Sequence, residues 1–216
     1  MTDTRDAQIL RRRLDDHLLW VESLQHQGRR LQMTDADFTG TDLSGLNLGD
    51  AVLAASNFTG ANLTDTDFGG CNLASADFTG ANLVRARFGK ADLSYTTFRG
   101  AILKEARLTK AQAWETSFVE ADLRRAVLAH MRALVTNFSR ADLRGADLTD
   151  IRLLRSSFAG ADLRNAVGID AIRIPRKLRE EDEPDLIDIG GELVDHAAFI
   201  AWALAQAARP GDELAR

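Results

Sequence analysis

The chain has 216 residues, 45% hydrophobic and 27% charged, with a formal net charge of −5; this suits a folded protein in water and excludes a generally basic nucleic-acid binder. The single cysteine, Cys71, excludes an internal disulfide framework and any multi-cysteine zinc site. No apolar run approaches the roughly 20 residues of a membrane-spanning helix, and Met1-Thr2-Asp3-Thr4-Arg5-Asp6 lacks the form of a secretory signal, so a reducing, cytoplasmic setting is expected.

Residues 1–30 come first. Within them, 5–27 read as one helix: Leu10, Leu14, Leu18, Val21 and Leu24 recur at helical spacing, and Gly28 supplies a stop. The expected role is a cap on whatever follows.

From residue 31 to 165 a five-residue frame runs without insertion, as in Ala36-Asp37-Phe38-Thr39-Gly40 and Thr41-Asp42-Leu43-Ser44-Gly45. The centre of each unit, at 33, 38, 43 and every fifth position to 163, is Leu, Phe, Met or, at 113 and 133, Ala. A small residue stands two positions earlier in most units, and the remaining positions are mostly polar. Two side chains in five therefore point inward, which is neither the period of a helix nor that of a long strand.

A second period appears at twenty. Phe38, Phe58, Phe78, Phe98, Phe118, Phe138 and Phe158 form one series, and Leu43, Leu63, Leu83, Leu103, Leu123, Leu143 and Leu163 another. Identity repeating every twenty residues means that four units close one turn of a solenoid, each centre stacking on its counterpart above and below. The 27 units make about 6.75 coils, and a coil spacing of about 4.8 Å gives a rod roughly 32 Å long. Glycine closing many units (Gly40, Gly60, Gly80, Gly100, Gly160) supplies a positive φ for a tight turn.

These Ala-Asp/Asn-Leu/Phe-x-x units resemble the pentapeptide-repeat family over 135 of the 216 residues. The resemblance implies an all-β solenoid, a right-handed quadrilateral β-helix, flanked here by an N-terminal capping helix and a C-terminal helix. The stretch His17-Leu18-Leu19-Trp20-Val21 ahead of Gly28 is similar to the helical lead-in of many bacterial members.

After Leu163 the frame fails, because the next centre would be Gly168. Residues 166–216 are read as a loop and a C-terminal helix that caps or dimerises. Pro175, Pro184 and Glu180-Glu181-Asp182-Glu183 place the loop at 174–190. The helix is expected over 191–208, with Leu193, Ala197, Ile200 and Leu204 on one face, Trp202 nearly opposite and Phe199 to one side. On the rod itself, the residue after the centre turns apolar toward the C-terminal end, at Trp114, Leu134 and Leu154, with Tyr95 and Val135 nearby. Such a stripe needs cover. The C-terminal helix, a second copy or both could supply it, so Trp114, Leu134, Leu154, Phe199 and Trp202 are the candidate cap or dimer contacts. Some family members dimerise through their C-terminal ends, which makes a homodimer the implied assembly.

No residue set suggests catalysis, a cofactor or a metal. His17, His26, His130 and His196 stand far apart without ligand spacing, and Cys71 sits at a small inward position. The aspartates before each centre are placed to bond the adjacent turn. Charge is the better guide. Residues 34–84 hold seven acids (Asp35, Asp37, Asp42, Asp50, Asp65, Asp67, Asp77) and no Lys or Arg; residues 85–165 hold fifteen Lys or Arg against nine acids. The seven form a candidate acidic binding surface. In the basic half Arg124, Arg144 and Arg164 stack at intervals of twenty with Lys104, each arginine two residues after an aspartate; they read either as local ion pairs or as a strip for an acidic partner.

Two functional classes follow. The first is a non-enzymatic protein-binding scaffold. The second, implied by the resemblance, is a DNA-mimicking binder of a type II topoisomerase such as gyrase, protecting it from quinolones or other poisons, as the antibiotic-resistance members do. The acidity here is confined to the first coils, which departs from a full-length duplex mimic. Direct nucleic-acid binding is the least supported.

Overall fold

The computed structural model describes residues 4–173 and 186–209. The segment with Pro175, Glu180-Glu181-Asp182-Glu183 and Pro184, read above as a loop, lies outside the described residues.

The repeat builds a parallel ladder. Residues twenty apart form parallel bridges, from Gln32↔Val52 through Asp77↔Thr97 to Asp147↔Val167. Each centre donates to the rung ahead and the small residue two positions before it accepts from that rung, as in Phe38 N–H to the Asn57 carbonyl at 2.7 Å and Asn57 N–H to the Ala36 carbonyl at 2.8 Å. A turn then closes the unit, with Thr41 N–H bonding the Phe38 carbonyl at 3.0 Å. Four such units make each turn of the ladder, and the backbone groups of the core are thereby paired.

The last residue of every unit from Asp35 to Asn165 has a positive φ. Glycine fills only eight of these 27 positions; the rest include Tyr95 at 60° and the β-branched Val135 at 55°. The ladder thus holds many side-chain-bearing residues in a region that costs L-residues about 1–2 kcal/mol each.

The interior is a set of side-chain columns. Every centre from Phe38 to Leu163 is buried. Neighbouring rings in the phenylalanine column lie 4.7–5.2 Å apart and nearly parallel, the offset stacking that aromatic quadrupoles favour. Phe68 and Phe88 form a short second column edge-on to the first. At three rungs the outer strip straightens into true strands, β1 (Gln112–Trp114), β2 (Arg132–Leu134) and β3 (Arg152–Leu154), paired in parallel. Two of them centre on Ala113 and Ala133, and the long Met131 and Ile151 fill the interior beside them.

Both ends are closed by helices. Helix α1 (Thr4–Glu22) packs Leu10 and Leu14 on the first turn of the ladder. It buries His17, whose Nδ1 accepts from Leu31 N–H at 3.1 Å and so satisfies an edge donor. The helix stops five residues before the expected 27: Leu24 and Gln25 turn left-handed and Leu24 is exposed. Gly28 follows at φ +71°, where a Cβ would lie 2.2 Å from the Asp16 carbonyl oxygen.

At the other end the bridges run on past residue 165, where the five-residue frame ends. Gly168 shifts the frame into a 3-10 turn, Ile169–Ala171. The ladder is then regained at Arg152↔Arg173 and, after the segment outside the description, at Ser157↔Asp188. Ile169, Ile172 and Ile187 are buried as further centres. A short hairpin of β4 (Ile187–Asp188) and β5 (Leu193–Val194) leads into α2 (His196–Ala207), which Asp195 caps by accepting from Ala198 N–H at 2.9 Å. Helix α2 is shorter than expected and turned otherwise. Phe199 and Ala203 are buried, Ile200 and Trp202 half-buried, and Leu193 and Leu204 exposed. Phe199 sits on Phe158 with centroids 5.1 Å apart, so it ends the phenylalanine column.

Candidate functional site

Cys71 and His17 are both buried in the interior. Burial pushes the Cys71 thiol up to about 12, and its Sγ donates to the Leu48 carbonyl at 2.9 Å. His17 is held below the ordinary imidazole value by burial. His196 Nε2 meets the Ile172 carbonyl at 3.2 Å. Among the described residues no group of three or more His, Cys, Asp or Glu is placed to hold a metal ion, and no helix is long and apolar enough to cross a membrane.

The seven acids are spread over several columns. The four-sided turn sends Asp37 and Asp77 to one side and Asp35, Asp42, Asp50, Asp65 and Asp67 to other columns. Most are engaged in their own turns. Asp37 accepts from Thr39 N–H and Oγ1, Asp42 from Ser44 N–H and Asn62 Nδ2, and Asp77 from Thr79 N–H. Asp65 takes a bidentate clasp from Arg85 at 2.7 and 2.6 Å. These bonds hold the carboxyls of Asp37, Asp42 and Asp65 below the usual carboxylate range.

The arginine ladder at 124, 144 and 164 is neutralised. Arg124 clasps Asp122 at 2.8 and 2.5 Å, Arg144 clasps Asp142 at 2.9 and 2.7 Å, and Arg164 clasps Asp162 at 3.0 and 2.7 Å. Each of the first two also reaches the next rung's aspartate at 3.6–3.7 Å. The result is a zipper of alternating charge, the ion-pair reading of this ladder.

A second basic column, not singled out by sequence, lies on the β1–β3 face and its adjoining corner. Lys110, His130, Arg132, Asp150, Arg152 and Arg173 line one shallow groove. Arg132, Arg152 and Arg173 are in direct register. Its one acid, Asp150, is taken by Arg173 at 2.6 Å with His130 at 3.6 Å. The signal was present in the interval of twenty between Arg132 and Arg152 and between Lys110 and His130, but no repeating acid drew attention to it. Two residues along the same strands stand Trp114, Leu134 and Leu154. Trp114 is 51% exposed, with its Nε1 donating to Glu115, and Tyr95 and Val135 flank it in the open. Helix α2 lies over the rod's end instead, with Asn165 N–H bonded to the Ala207 carbonyl. There Phe199 packs on Phe158 and Trp202 on Phe199.

Residues 31–108 match the family described as "Pentapeptide repeat region", and residues 136–167 match "Pentapeptide repeats (8 copies)". The chain belongs to the pentapeptide-repeat family. Pentapeptide-repeat proteins fold as right-handed quadrilateral β-helices, and two solved forms of one such protein agree. A trypsin-treated form of QnrB1, a plasmid-mediated fluoroquinolone resistance protein, superposes with a TM-score of 0.61 at 20% identity, covering 84% of this chain and 100% of that one. A second trypsin-treated form gives 0.55 at 22%, covering 83% and 98%. HetL, involved in heterocyst differentiation regulation in the cyanobacterium Nostoc sp., gives 0.36 at 22%, covering 70% and 90%. No curated protein matches the chain in sequence.

Proposed function

We propose that this protein is a non-enzymatic binding rod, a scaffold that holds a protein partner on its outer columns. The observation that supports this best is the exposed β1–β3 face. There Trp114, Tyr95 and Val135 stay open to solvent on a rigid ladder whose interior is fully packed, and exposed apolar columns of this kind mark interaction sites. The working region is 31–165, with 1–30 and 166–216 as end caps. A second copy joins through the C-terminal region, where α2 leaves Leu204 on its free side. Light scattering tests the dimer: Leu204→Glu should shift the mass from dimer to monomer, and a monomeric intact protein would refute it. Cross-linking with mass spectrometry tests the scaffold: captured partners should be lost with Trp114→Ala.

The acidic first turns of the ladder, and a fold shared with a fluoroquinolone resistance protein, favour a second reading, a DNA-mimicking topoisomerase binder that acts in the cytoplasm. The assay is supercoiling by purified gyrase with and without a fluoroquinolone. Inhibition, or rescue from the drug, supports it; no effect at micromolar protein refutes it.

A further inference from the structure

Two arginine columns run along the rod, one after the centres at 124, 144 and 164 and one before them at 132 and 152, and they are treated differently. In the zipper, every arginine meets an aspartate on its own rung. On the β1–β3 face, Arg132 and Arg152 are stacked in register, exposed, and among the described residues form no ion pair. Like charges placed directly opposite across strands are destabilising. Lys110 adds a further cation to the groove, and Asp150 is already held by Arg173. A local rule broken without internal compensation points to an external counter-charge.

Resting on the protein-binding reading, we propose that the groove and the Leu134–Leu154 stripe together bind an amphipathic acidic helix of a partner protein. Charge complementarity selects acids for the Arg132–Arg152 column. At the rungs of Arg132 and Arg152 the neighbouring column is Leu134 and Leu154, which suits leucine-type side chains, and Trp114 continues it one rung earlier. The spacing agrees. Rungs stand about 4.8 Å apart, and residues three or four apart on a helix rise about 4.5–6 Å. A helix lying along the rod therefore presents about one carboxylate to each arginine and one apolar side chain to each leucine.

The test uses the full chain and a fluorescein-labelled 18-residue helical peptide, with glutamates at i, i+3 and i+4 and leucines on the flanking stripe. Its scrambled sequence and an oligothymidylate of equal length serve as comparison probes. Anisotropy should show micromolar binding of the helical peptide, falling with added salt, and at least tenfold weaker binding of both comparison probes. Arg132→Glu with Arg152→Glu should weaken it at least tenfold, whereas Arg99→Glu, on another side of the rod, should not. Equal binding of the scrambled peptide, tighter binding of the oligothymidylate, or no change in the double variant overturns the proposal. Those outcomes leave the wider scaffold reading to its own cross-linking test. A second measurement does not depend on the ligand: relieving the stacked charges with Arg132→Gln should raise Tm by about 1 °C or more at low salt. A lowered Tm with intact circular dichroism also overturns it.

Discussion

Phe98→Ala measures how the columns hold the rod. The Phe98 ring is fully buried, stacked at 4.9 Å on both Phe78 and Phe118 and set edge-on to Phe88 at 5.7 Å. Truncating a buried phenylalanine to alanine costs about 3–5 kcal/mol. Each aromatic contact is worth about 0.5–1.5 kcal/mol beyond area burial, so three of them place Phe98 at the upper end. Phe38, with a single stacked neighbour at 4.9 Å, should cost about 1–2 kcal/mol less. Phe98→Leu should cost far less than Phe98→Ala, because leucines already continue the shorter column beyond Phe88, as at Leu108 and Leu128. The assay is urea unfolding followed by circular dichroism and by tryptophan fluorescence together, since a linear repeat can lose local segments before it unfolds globally. If Phe38→Ala costs as much as Phe98→Ala, or Phe98→Ala costs below about 1.5 kcal/mol, stacking along the rod is not what stabilises it.

Val135→Gly should raise stability by about 0.5–1 kcal/mol, because the left-handed backbone at φ 55° penalises a β-branched residue more than glycine's entropy costs; a destabilised variant in the same unfolding assay would show that the valine side chain's packing matters more. His17 should make stability pH-dependent. Its folded pKa is lowered by burial, so the unfolded chain takes up the proton first. Stability present above about pH 6.5 is then lost as pH falls below that value, at no more than about 1.4 kcal/mol per pH unit. His17→Gln, which keeps an acceptor for Leu31 N–H, should flatten the pH 5–7 part of a Tm profile; an unchanged profile would clear His17 of the effect. Asp195→Ala removes the acceptor for Ala198 N–H and should cost about 1 kcal/mol in a thermal melt, with a neutral result meaning that Phe199 packing alone seats α2.

The ladder was legible because its information is redundant. Twenty-residue identity fixed the stacking of the phenylalanine column without any turn being recognised. The turns themselves were half hidden. Glycine marks Gly40 or Gly60, but Glu105, Arg125 and Val135 adopt the same left-handed conformation, since the hydrogen bonds on either side of a rung overrule local preference. The C-terminal end was less legible. One extra residue at Gly168 and an insertion before Ile187 break the count while the bridges continue. Helix α2 carries apolar residues all round, so periodicity could not choose between Leu204 and Phe199; the open end of the phenylalanine column chose Phe199. The seven acids, near one another in sequence, stand in several columns, because a four-sided coil spreads sequence neighbours over different sides.

In such a rod the interior says little about purpose, because nearly every rung has the same solution. What distinguishes one member from another must lie where the outward residues depart from that solution. Two departures coincide here. The outward column that is threonine, alanine or serine at Thr34, Ala54, Ala74 and Ser94 becomes Trp114, Leu134 and Leu154, and the column beside it becomes Arg132, Arg152 and Arg173. Neither change improves the ladder: the first leaves a tryptophan about half in water, and the second stacks like charges. The two overlap on two rungs, 132–134 and 152–154, where the backbone also straightens into strands. Changes that each cost stability, yet meet on one face, are better explained by a shared partner than by separate structural needs.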